Sequence, residues 1–181
     1  MSIDTGNTQG QKASDKDKKK KKIVLFFVFL FMLIFDQVSK SGAEFLLKPG
    51  ESIPLLKNIF HMSLVHNTGI AFGFLKSIPL FGWVFVYFIF IAAILWYGGG
   101  IQKRNLSSLF CAGCIAVGAI GNLIDRVRFG FVVDFLDFRV WPVFNFADAY
   151  ITIGAGLLLV TMVQKRKQQN AITNHQDTIT K

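Results

Sequence analysis

Charge is scarce in this chain. Of its 181 residues, 17% are Asp, Glu, Lys or Arg, against 52% hydrophobic. An ordinary soluble domain carries about a quarter charged residues, so a freely soluble fold is disfavoured from the outset. Cysteine is almost absent, and both copies sit in one CAGC stretch at 111–114. With no second CxxC and no histidine near it, that pair makes neither half of a zinc site nor a convincing redox centre. Small residues around it (Ala112, Gly113, Ala116, Gly118, Ala119) point to close helix packing instead. Histidine is limited to His61, His66 and His175, too scattered for a metal set. There is no GxSxG, no HExxH and no P-loop. Ser39-Lys40 is not a Ser/Lys pair for direct proton transfer, because adjacent helical residues do not share a face. No internal repeat is visible.

What remains abundant is apolar sequence. Four runs are free or nearly free of charge: 23–41, 80–99, 106–126 and 146–163. A membrane-spanning helix needs about 20 mainly apolar residues. The middle two runs satisfy this easily; the outer two need polar ends to complete the span. The net charge of +9 is confined to residues 1–22, to Lys103-Arg104 and to the tail from Lys165, while the rest of the chain is balanced. Four spans put those three segments on one side of the membrane, which by the positive-inside rule is cytoplasmic. The lysines then read as a topology signal and a contact for phospholipid headgroups. They do not call for nucleic acid. A basic stretch, an apolar core and Ser41-Gly42-Ala43 also have the outline of a cleavable signal peptide; the intact mass distinguishes the two.

The expected organisation is a disordered basic tail (1–22), a membrane domain (23–164) and a second basic tail (165–181). Two segments lie outside the spans, about 42–79 and 127–145. Residues 59–67, IFHMSLVHN, alternate as a strand does, and 128–138, RFGFVVDFLDF, read as extended. Exposed backbone polar groups cannot face lipid, so these segments pair as a small sheet at the outer surface. The predicted fold is integral membrane and mainly α, with four transmembrane helices and a small periplasmic β cradle.

The polar residues within this apolar chain are the candidates for chemistry. Asp36 and Lys40 stand four apart on one helical face, placed for an ion pair. Asn122, Asp125 and Arg126 form a stripe at the end of the third run, which must face protein or water. Asp134 lies between Val and Phe, where desolvation raises a carboxyl pKa; Asp137 has Arg139 nearby. Asp148 opens the fourth run three residues after Asn145, in the pattern of a helix cap. Capping accounts for Asp148 alone. Taken with Asp134 across the Trp141-Pro142 turn, it also permits two carboxyls sharing one proton around a water molecule. A proton-relay transporter is the rival use of such carboxylates, but these lie towards helix ends and not mid-span.

In order along the chain, DQVSK (36–40), NTGIAFGF (67–74), GAIGNLIDR (118–126), VVDFLDF (132–138) and FNFADA (144–149) resemble the signal peptidase II family. The resemblance implies a bacterial inner-membrane aspartyl endopeptidase that acts as a monomer without metal or cofactor. Its substrates would be diacylglyceryl-modified prolipoproteins, cut just before the lipidated cysteine. By motif, Asp134 and Asp148 would be the catalytic pair. Asp36, Lys40, Asn67, Gly69, Ala71, Phe72, Gly118, Asn122, Asp125, Arg126, Asn145 and Ala147 would line or brace the site, with Arg126 a fixed donor for substrate carbonyls. Position 70 is Ile where the family would carry a smaller residue, and the Asp134–Asp148 connection is short for the family.

Overall fold

The computed structural model describes residues 5–69 and 106–179, with positions 82, 85 and 89 between them. Three described helices are long and apolar enough to cross a membrane: within Ser14–Leu46, Leu106–Phe129 and Phe146–Gln164. The second predicted span, 80–99, falls outside the described residues save for those three positions, as do Ile70, Ala71 and Phe72.

Helix α1 runs without a break from Thr5 to Leu46. The sequence reading placed disorder over residues 1–22; the helix instead continues back through the lysines. Lysine is a good helix former. Asp17 sits one turn before Lys21 with the charges 2.8 Å apart, the favourable order for such a pair. At the other end the helix passes the predicted stop near residue 41 and ends ahead of Pro49-Gly50, where Gly50 takes a φ of +86°. Phe26, Phe27 and Phe31 on α1 are all more than half exposed, an apolar face that the other described residues leave uncovered.

Strands β1 (Ser52–Leu56) and β2 (Phe60–Asn67) form a hairpin, and β3 (Val132–Asp137) pairs antiparallel with the other side of β2. The alternating stretch at 59–67 is thus a strand. β1 was missed, because Pro54 argues against a strand interior; it is tolerated here because β1 is the sheet edge. Helix α2 (Leu106–Phe129) extends three residues beyond its predicted end and stops at Gly130, whose φ of +82° suits a left-handed helix terminus. The turn after β3 is pinned to the sheet: Phe144 N–H donates to Leu136 O at 3.0 Å, and Leu136 N–H donates back to Phe144 O at 2.7 Å. Helix α3 then begins at Phe146 and continues to Ile179, through the predicted basic tail.

The sheet packs on the end of α1. Ala43 and Leu47 join Leu64, Val133 and Phe135 in one buried cluster, with Phe146 against its edge. The helices approach each other through glycine. A Cβ on Gly118 would collide with the Ala147 carbonyl oxygen and Ile151, and one on Gly154 would meet the Cys111 carbonyl oxygen at 2.8 Å. Cys111 and Cys114 are buried and unbridged, so CAGC serves packing. Because backbone blocks position 118, Gly118→Ala should lower the melting temperature of the detergent-solubilised protein, consistent with the ~1–3 kcal/mol typical of overpacking. Gly156→Ala, where a Cβ meets nothing within 4 Å, should leave it unchanged or raise it slightly. Equal effects in a thermal melt would refute this account of the α2–α3 contact.

Candidate active site

Four elements converge where α1, α2 and α3 meet the sheet. From α1 come Asp36 and Lys40, both almost fully buried. The Lys40 ammonium lies 2.9 Å from Asp36 Oδ2, 2.9 Å from Asp125 Oδ2 and 3.0 Å from Asn122 Oδ1. The predicted Asp36–Lys40 pair therefore forms, and α2 adds a second carboxylate and an amide to it. Asp36 Oδ1 also accepts from the Ala147 backbone N–H at 2.8 Å, which anchors the start of α3 to α1. Asp125 Oδ2 accepts from Val133 N–H at 3.2 Å, tying the sheet in. Removing one partner from a buried pair typically costs about 3–5 kcal/mol, because the charge left behind is uncompensated, so this clamp depends on all its members.

Asp134 and Asp148 stand beside the clamp. Asp134 Oδ1 accepts from Asn145 Nδ2 at 2.6 Å, and Oδ2 accepts from Asn67 Nδ2 at 2.9 Å. Asp148 Oδ1 accepts from Asn122 Nδ2 at 2.8 Å. The predicted cap is also present: Asp148 N–H donates to Asn145 Oδ1 at 2.9 Å, while Asn145 N–H donates to Asp148 Oδ2 at 3.3 Å. Asn145 thus contacts both carboxyl groups, one through its side chain and the other through its backbone.

Asp134 is 2% exposed. Burial, reinforced by the neighbouring Asp148 charge, pushes its carboxyl up to about 7, against the pull of donors from Asn67 and Asn145. Asp137 fares differently. Burial acts upward on it too, but hydrogen bonds from Ser63 and Arg139 outweigh that and hold it below the ordinary carboxylate range. Neighbouring carboxyls on one strand are thereby driven apart.

Arg126 Nη2 donates to the Gly69 carbonyl at 2.9 Å. Gly69 N–H in turn donates to Asn67 Oδ1 at 3.0 Å, so the loop after β2 is fastened and Asn67 is aimed. Of the predicted site residues, Asp36, Lys40, Asn67, Gly69, Asn122, Asp125, Arg126, Asp134, Asn145, Ala147 and Asp148 come together. Gly118 serves the helix contact, and Ala71 and Phe72 lie outside the described residues. Two participants were missed. Gln37 Nε2 donates to Asp125 Oδ1 at 3.0 Å and to the Gly121 carbonyl at 3.2 Å. Gly121 leaves room for Asp36, whose Oδ2 would lie 2.7 Å from an added Cβ. Both stand inside the motifs already singled out, so their neighbours were the available signal.

The sequence model of signal peptidase (SPase) II matches residues 28–164. The chain belongs to the signal peptidase II family. It is therefore an aspartic protease of bacterial lipoprotein processing, which removes the signal peptide from prolipoproteins. A lipoprotein signal peptidase of Halothermothrix orenii is 41% identical over 136 residues, covering 75% of this chain and 92% of the relative. That of Pelotomaculum thermopropionicum is 44% identical over 127 residues, covering 70% and 83%. A solved structure described as a bacterial membrane enzyme superposes with a TM-score of 0.74 at 28% identity, over 80% of this chain and 90% of that one. Signal peptidase II is an inner-membrane, multi-pass enzyme, in keeping with the three apolar helices described here.

The raised Asp134 pKa fixes a pH dependence. The folded state keeps a proton to about 7 that the unfolded chain, with an ordinary value of 3.8, gives up earlier. Stability should therefore fall as pH rises from about 4 to 7 and level off above that. Asp134→Asn should flatten the slope, so its melting temperature should gain on that of the wild type between pH 5 and pH 8. Parallel profiles for the two proteins would contradict the assignment.

Proposed function

We propose that Asp134 and Asp148 are the catalytic pair of this signal peptidase, with Asp134 as the protonated member and Asp148 as the base. The observation that carries this reading is Asn145, which donates to Asp134 Oδ1 from its side chain and to Asp148 Oδ2 from its backbone. One residue thus touches both carboxyls. Asp148 removes a proton from a water molecule held between them, and the water oxygen attacks the scissile carbonyl carbon. Asp134 gives its proton to the carbonyl oxygen, producing a neutral tetrahedral diol. Collapse breaks the C–N bond and restores the carbonyl, a proton passes from Asp148 to the departing amine, and Asp134 recovers its own from the diol. A proton held by one carboxyl and a base supplied by the other suit these two roles.

The full architecture in this reading has four spans, the second supplied by residues 80–99. The basic segments place both termini in the cytoplasm, so the sheet and the pair lie at the periplasmic face. That depth suits a substrate anchored by diacylglycerol on the cysteine that follows the cut. Phospholipid headgroups contact the lysines of α1, and the enzyme acts as a monomer. Arg126 works through Gly69, keeping the loop after β2 in place beside the scissile peptide.

Asp134→Asn and Asp148→Asn should each give folded, membrane-inserted protein with processing of a purified diacylglyceryl precursor reduced at least about 1,000-fold, read as loss of the gel shift. General acid–base groups commonly contribute 10²–10⁴-fold each. The amide oxygen in Asp148→Asn can still accept the Asn145 N–H, so a role for Asp148 in capping alone predicts that this variant stays active. Normal turnover in either variant would refute the pairing.

A further inference from the structure

Lys40 has three N–H donors and nothing to accept with. The cluster supplies three acceptors at hydrogen-bond distance: Asp36 Oδ2, Asp125 Oδ2 and Asn122 Oδ1. Its third bond has a directional consequence. A side-chain amide can sit either way round, and only its neighbours decide which end is oxygen. Because the ammonium can only donate, the Asn122 oxygen must face Lys40. The NH2 is thereby turned onto Asp148 Oδ1, 2.8 Å away. Reversed, the amide would set its NH2 against the ammonium and its oxygen against a carboxylate, two repulsions at once.

The same logic continues outward. Asn122 Oδ1 also accepts from Asn145 Nδ2 at 3.1 Å. The Asn145 oxygen is claimed by the Asp148 backbone N–H, which again can only donate. So the Asn145 NH2 is turned towards Asn122 Oδ1, Asp134 Oδ1 and the Val133 carbonyl. The charged groups around this path are Asp36 and Lys40 from α1, Asp125 and Arg126 from α2, Asp134 from β3 and Asp148 from α3. Arg126 is directed at Gly69 O, while Lys40 bonds the Asn122 amide itself.

We propose that Lys40 is a positioning residue for catalysis: its N–H holds the Asn122 amide in the one orientation that presents NH2 to Asp148. This rests on the reading of Asp134 and Asp148 as the catalytic pair and adds a residue that never meets substrate. The donor at position 40, not merely its charge, is the functional element.

Two double variants separate the donor from the charge. Asp36→Asn with Lys40→Gln removes one charge of each sign, so the cluster keeps its net charge, and the Gln NH2 can still donate to Asn122 Oδ1. Asp36→Asn with Lys40→Met has the same net charge and no donor. With a purified diacylglyceryl precursor, the Gln variant should keep kcat within about tenfold of wild type. The Met variant should lose about 100-fold or more in kcat, the scale of a small misplacement in a catalytic site, with KM within about threefold. Equal kcat values in the two folded variants would overturn the proposal. Asn122→Asp provides an independent check should the Met variant fail to fold. It strengthens the contact to Lys40 but shows Asp148 an oxygen in place of NH2. It should lose about 100-fold in kcat; wild-type turnover would overturn the proposal, since a structural tie would be preserved or improved. If Asp134→Asn and Asp148→Asn are inactive while these tests fail, the catalytic pair stands and the role of Lys40 falls.

Discussion

A lysine ammonium withdrawn from water at the end of α1 sets the terms for the rest of this molecule. It holds two carboxylates and one amide, drawn from two helices. Each carboxylate reaches on to the backbone of another element: Asp36 to the first turn of α3, Asp125 to β3. Buried ions without such partners would be intolerable in an apolar setting. Each buried charge in the cluster thus has its partners within it. Its acceptors and donors then dictate which way the adjacent amides point, so electrostatic necessity in the clamp becomes hydrogen-bond direction at the candidate site.

The helix contacts serve the same end by different means. Within the bilayer, apolar helices gain little from excluding lipid, and close approach through small residues supplies the attraction. Gly118 and Gly121 let the beginning of α3 and the Asp36 carboxyl nestle against α2. Ala147 stands at that crossing, one residue before Asp148. Packing precision at the glycines and placement of a candidate catalytic group are thus the same event, which is why the small-residue stripe runs into the polar stripe along α2.

Much of this was legible in the sequence. Three described helices fall on apolar runs, β2 follows its alternation, and the Asp36–Lys40 spacing and the Asn145–Asp148 cap both appear as ionic and hydrogen-bonded contacts. The misses have physical causes. The polarity of residues 1–22 suggests disorder, yet helix α1 runs back to Thr5, since lysines spaced with aspartates favour a helix. β1 was missed because a proline is prohibitive only in a central strand. Asp36–Lys40 looked sufficient as a pair, since nothing in linear spacing reveals that Asp125 and Asn122 approach from another helix. Gln37 and Gly121 carry no periodic signal of their own; only the three-dimensional crossing gives them meaning.

Asn145 is both the stopper of a helix and the bridge between two acids, and this ties competence to completion. Fraying the first turn of α3 releases the backbone N–H from one carboxyl and slackens the side chain's hold on the other. Under the proposed pairing, the first turn of the last helix must be docked before the two acids are held together.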